Sequence, residues 1–151
     1  MTVIDYRYDE CGLDNVVLKD LPVLLDDEGK AIVTIPHVNA LHRVLTAMVA
    51  TKTSGLQPKE IRFVRTEMEL TQAQLAALVG KDVQTIGRWE RGETPIERSA
   101  EIVIRARVLQ TTGDKAIPSM EILSGWTLSS PSMPPFVIDA SNPGAYQPIA
   151  A

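Results

Sequence analysis

The chain has 151 residues, an ordinary share of apolar and charged side chains, and a formal net charge of −4. That length supports one domain, or one domain with appendages, around a modest core. No apolar run approaches a membrane span and no basic-then-apolar leader opens the chain, so a cytoplasmic protein without a membrane partner is expected; the single cysteine, Cys11, excludes an internal disulfide and a thiolate zinc cluster.

Residues 1–55 read as a small α/β unit. "VIDYRY" alternates well enough for a strand, and "NVVLKDLPVLL" has the β-branched content of one or two more. "DDEG" (Asp26 to Gly29) marks a turn, and "KAIVTI" follows it as a further strand, together making a small antiparallel sheet. After Pro36 the period changes to that of a helix, with Val38, Leu41, Leu45, Met48 and Val49 on one face until Thr53-Ser54-Gly55 ends it. Acidic residues outnumber basic ones in this segment.

Residues 56–112 carry nine basic side chains against eight acidic ones, so the negative total hides a middle that is slightly positive. What matters for a polyanionic partner is whether one face is basic. Pro58 opens a helix with Ile61, Val64 and Met68 as its buried stripe. Next comes "LTQAQLAALVGKDVQTIGRWERG", Leu70 to Gly92. Thr71 and Gln74 form a T-x-x-Q capping box, so a short helix starts at Gln72, and Leu75, Leu78 and Val79 give it one apolar face. Gly80 suits the left-handed residue that ends it. Asp82 caps a second helix, in which Ile86 and Trp89 must face inward, and Gly92 stops it. Thr94-Pro95 then precedes a helix to about Gln110, with Ile96, Ala100, Val103 and the stem of Arg107 facing in.

Two short helices across a tight turn make a helix-turn-helix, whose second helix can lie in a DNA major groove with its N-terminal residues at base edges. Small Ala76 lets the helices approach closely. Val83, Gln84, Gly87 and Arg88 fall on the outer side as base-contact candidates. Gln84 and Arg88, spaced i, i+4, can make two-pronged hydrogen bonds, glutamine to adenine and arginine to guanine. Val83 could touch a thymine methyl or simply cover the turn. Gly87 costs about 1 kcal/mol relative to alanine in mid-helix; it either permits close approach to DNA or is a tolerated weakness. Gln72, at a helix N-terminus, can reach a phosphate together with unpaired backbone amides. Lys81, Thr85 and Arg91 complete the expected phosphate contacts.

With its flanking helices from Pro58 to Leu109, this run resembles the phage-repressor/Cro-type helix-turn-helix family, often called XRE, through "LTQ…LA…G…QTI…RWE-x-G". More narrowly, "CGLDNVVL", Leu41-His42, "KEIRFVR" and "TIGRWERG" resemble bacterial regulators related to MqsA-type antitoxins, which join a small N-terminal unit to such a domain. The resemblance covers roughly Tyr8 to Gln110. It implies a partly buried pair between Arg65 and Glu90, where Arg65 read alone suits a phosphate contact. Zinc-binding relatives carry paired CxxC motifs, whereas this chain has "YDEC" with Tyr8 and Cys11, so no metal and no cofactor are expected. His37 and His42, five apart, fall on different faces and make no metal pair.

Residues 113–151 are rich in proline and serine, with apolar anchors at Trp126 and Phe136, and read as an extended tail whose aromatics dock somewhere. No phosphate loop, HExxH or triad points to an enzyme. The expected fold is α+β: a small N-terminal β-sheet plus helix unit (1–55), an all-α helix-turn-helix domain (56–112) and an extended tail (113–151). The expected function is a sequence-specific transcriptional regulator, a homodimeric repressor on a palindromic double-stranded operator. The rival is an antitoxin that binds a toxin protein and autoregulates its operon.

Overall fold

The computed structural model describes residues 2–112, 118–128 and 135–149. The chain is α+β and forms two compact units, one of Met1–Leu45 with Pro134–Ala151 and one of Thr46–Met133. In the first unit, strands β1 (Thr2–Arg7), β2 (Val16–Leu25) and β3 (Ala31–Ile32) precede helix α1 (Val38–Thr51), within which the division between units falls.

β1 and β3 pair antiparallel with β2. β2 changes its inward register partway: Val16 and Leu18 are buried before Asp20, Leu21 and Val23 after it. A bulge makes the switch. Ile4 pairs Leu21 and Tyr6 pairs Leu18, so β2 spends one residue more than β1, and Asp20 takes the extra position at φ 56°. Its N–H donates to Asp5 Oδ1 at 3.1 Å. Without that residue strict alternation would turn Leu21 and Val23 away from the core.

The expected antiparallel sheet is in fact mixed, and the expected tail supplies the difference. β4 (Phe136–Asp139) runs parallel to β2, Val16 pairing Phe136 through to Lys19 pairing Asp139. β5 (Gln147–Ile149) pairs antiparallel with β4, giving the order β1-β2-β4-β5. Phe136, Ile138 and Tyr146 are buried, and the Tyr146 hydroxyl donates to Pro36 O at 2.6 Å. The compact units therefore differ from the three expected segments: residues 136–149 add strands to the N-terminal sheet, and the first division lies before Gly55.

The second unit holds α2 (Pro58–Glu67), α3 (Gln72–Val79), α4 (Val83–Arg91), α5 (Arg98–Thr112) and α6 (Met120–Trp126). Its apolar core includes Ile61, Phe63, Val64, Leu75, Ile86, Trp89, Ile104 and Leu123. Two expectations of facing are corrected. Leu78 is 41% exposed, because α3 is short and buries only Leu75 and Ala76 fully. On α5, Val103 and Arg107 face outward, while Glu101 and Arg105 lie inside with Ala100, Ile104 and Val108.

Those buried charges belong to one cluster. Lys52 Nζ pairs with Glu60 Oε1 at 2.6 Å, and Arg105 Nη2 with Glu101 Oε2 at 3.0 Å. Arg105 also donates to the carbonyls of Lys52 (2.6 Å) and Ser54, and lies 5.6 Å from the Trp126 ring. Burial pushes the Glu60 and Glu101 carboxyls up and the Lys52 amine down, against the pull of their partners.

Candidate nucleic-acid interface

Local chemistry defines both helices of the motif. Thr71 Oγ1 accepts from Gln74 N–H at 3.1 Å while Gln74 Oε1 accepts from Thr71 N–H at 2.8 Å, so two of the helix's orphan donors are satisfied reciprocally. Gly80 (φ 71°) ends α3 and Gly92 (φ 75°) ends α4, both left-handed. Asp82 Oδ1 accepts from Thr85 N–H and from Thr85 Oγ1, each at 2.8 Å. Those bonds hold the Asp82 carboxyl below the usual carboxylate range.

The orientation of α4 is set from its inner side. Ile86 and Trp89 are buried, and Glu90 is clamped by Arg65: Nε to Oε2 at 2.6 Å and Nη2 to Oε1 at 3.0 Å. Arg65 Nη1 also donates to Leu70 O at 2.9 Å, tying α2, the α2–α3 turn and α4 together. Glu90 Oε1 further accepts from Gln72 Nε2 at 3.1 Å. Gln72 thus sits at the first turn of α3 with its amide nitrogen turned onto Glu90.

The outer side holds Val83, Gln84 and Arg88, all exposed. Gln84 and Arg88 stand one turn apart on that exposed face. Gly87 differs from its expected placement: it is buried, and a Cβ built on it would lie 2.8 Å from Arg91 Nη1. Around these positions Lys81 Nζ pairs with Glu97 Oε2 at 2.8 Å, Thr85 serves the cap, and Arg91 Nε pairs with Glu93. With Gln72 donating to Glu90, all four phosphate candidates already have a protein partner, which DNA would have to replace or share.

The first unit shows a different chemistry. Tyr8, buried, has its hydroxyl 2.6 Å from His42 Nε2, and Cys11 Sγ lies 4.0 Å from Tyr8 O. His37 precedes α1 at φ 53°, apart from His42 on the helix. Among the described residues no group of three His, Cys, Asp or Glu could hold a metal ion, and no helix is long and apolar enough to cross a membrane.

Sequence reasoning missed the buried cluster of Lys52, Glu60, Glu101 and Arg105. Glu101 and Arg105 at i, i+4 look like an ordinary surface pair, and only the inward positions of Ala100, Ile104 and Val108 between and beside them betray the true face. Compared with known families, residues 61–99 match the model described as helix-turn-helix. No curated protein and no solved structure matches the chain. The match places a helix-turn-helix in this segment, which supports a DNA-binding regulator.

Proposed function

We propose that the chain is a sequence-specific transcriptional regulator, a homodimeric repressor that reads the major groove of its operator with α4. One observation carries the reading: Gln84 and Arg88 project together from a helix whose other side is immobilised by Ile86, Trp89 and the Arg65–Glu90 clamp. A reading helix has to be rigid on one face and polar on the other, because positioning and base contact are separate tasks. One such helix buries too little surface for tight binding, so two-fold repetition on a palindromic site is the expected remedy. Selection of duplexes from a random pool by the purified protein, followed by footprinting, tests this. Two half-sites about one helical turn apart are expected; a single half-site would remove the dimer, and no enrichment would remove sequence-specific reading.

An antitoxin role is the second reading, and the first unit favours it. Leu24 and Ile32, paired across β2 and β3 and so on one face, are exposed beside the acidic turn of Asp26, Asp27 and Glu28. An apolar patch with an acidic rim suits a basic protein partner better than it suits DNA. Co-expression with the product of a short neighbouring reading frame, yielding a stable complex, would favour this role; an isolated gene would count against it.

A further inference from the structure

We infer that Arg91 reads a base edge from above Gly87 rather than holding a phosphate; the inference rests on the DNA-binding reading given above. Side chains on a helix lean toward its N-terminus, so a long one at 91 covers the surface over the turn at 87. Apart from the adjacent residues and the backbone of α4 itself, the three heavy atoms nearest a Cβ built on Gly87 all belong to Arg91: Nη1 at 2.8 Å, Cζ and Nη2 at 3.6 Å. The guanidinium therefore lies against bare backbone, in space that any larger residue at 87 would contest. It is carried back from the C-terminal end of α4 toward Arg88 and Gln84, the part of a recognition helix that meets base edges.

The pairing of Arg91 decides which atoms are presented. Its Nε faces the Glu93 carboxylate. Nη1 and Nη2 then remain as an end-on fork, the geometry that spans O6 and N7 of a guanine. Glu93 is the positioning residue: it fixes the plane of the fork without touching DNA. The target is thus a G·C pair in each half-site, beside the pair addressed by Arg88.

The test uses two duplexes: the one that the wild-type protein selects from a random pool, and a scrambled duplex of the same length, both at one fixed salt concentration. Arg91→Lys keeps the charge and loses the fork. It is expected to lower the ratio of specific to non-specific affinity by about 5- to 150-fold and to relax one G·C position per half-site. Gly87→Ala should displace the guanidinium and lower the same ratio in a protein that melts no lower than the wild type. In the Arg91→Lys background Gly87→Ala should add nothing, since both act through one contact. An unchanged ratio for Arg91→Lys overturns the inference, as does a Gly87→Ala loss that persists in full without Arg91. If the wild type selects a site and only these variants behave otherwise, the base-reading role of Arg91 falls alone. If the wild type selects no site, the reading of α4 as a recognition helix falls with it.

Discussion

Arg65 and Arg88 illustrate how two arginines of one motif come to opposite tasks. Arg65 is largely covered, and its guanidinium spends its donors on Glu90 and the Leu70 carbonyl. Arg65→Ala would leave a Glu90 side chain that is only 5% exposed without its main partner. We expect stability to fall by roughly 3 kcal/mol at most, read from denaturant melts. Unchanged melting with weaker DNA binding would make Arg65 a phosphate contact instead. Arg88 is exposed and faces away from the core. Arg88→Ala should leave the melt unchanged, cost about 1–3 kcal/mol on the preferred site, and relax one base pair per half-site. Because a charge is lost as well, some general weakening accompanies it, and the specific-to-non-specific ratio at fixed salt is the quantity to measure.

At the scale of the element, α4 begins at a cap that titrates. The Asp82 carboxyl is held below its ordinary pKa by the Thr85 N–H. A group depressed on folding adds stability above its unfolded pKa and loses that contribution as pH falls through the folded value. The cap is therefore intact at neutral pH and is lost only in acid, below the usual carboxylate range. Asp82→Asn, which also caps well, should abolish this acid-linked fraying of α4 while preserving the helix at neutral pH. Backbone amide exchange at Thr85 across an acid titration would show it, and an identical acid profile for both proteins would refute it. The buried cluster joins the end of α1, α2 and α5 by a harsher rule. Glu60 has no exposed surface, and Lys52 Nζ is 2.6 Å from it. Lys52→Met removes the ion-pair partner of that buried carboxylate, leaving it the Gln57 N–H at 2.7 Å, and should cost about 3 kcal/mol, whereas adding Glu60→Leu should restore much of the loss. Thermal melts of the single and double variants decide, and a double variant no more stable than the single would show that the pair is not the cause.

For the whole molecule, the C-terminal strands belong to the sheet that the N-terminus begins. β2 has β1 on one side and β4 on the other, and Phe136 and Ile138 are buried with it. Removing residues 135–151 would uncover one edge of β2 and withdraw apolar side chains whose burial stabilises by about 1.5–3 kcal/mol each. Amide protection in β2 is expected to collapse, while that of α2, α3 and α4, which belong to the other compact unit, persists. Protected β2 amides in the shortened chain would show that the parallel pairing contributes little.

The sequence alone determined the helix-turn-helix. Its starts and stops, Thr71 with Gln74, Gly80, Asp82 and Gly92, are satisfied by partners within a few residues, so spacing along the chain suffices to read them. The outward position of Gln84 and Arg88 was legible for the same reason, because Ile86 and Trp89 are pinned inward by helical period. Tertiary structure decided everything that depends on partners distant in the chain. Nothing near Phe136 announces that it pairs beside Val16, since parallel pairing leaves no local turn signal. Asp20 turns Leu21 and Val23 inward only because β1 fixes the count across from it. The inward Glu101 and Arg105 are tolerable only because Lys52, Glu60 and the carbonyls before α2 converge on them. A buried charge is decided by its partners, and those are assembled by the fold.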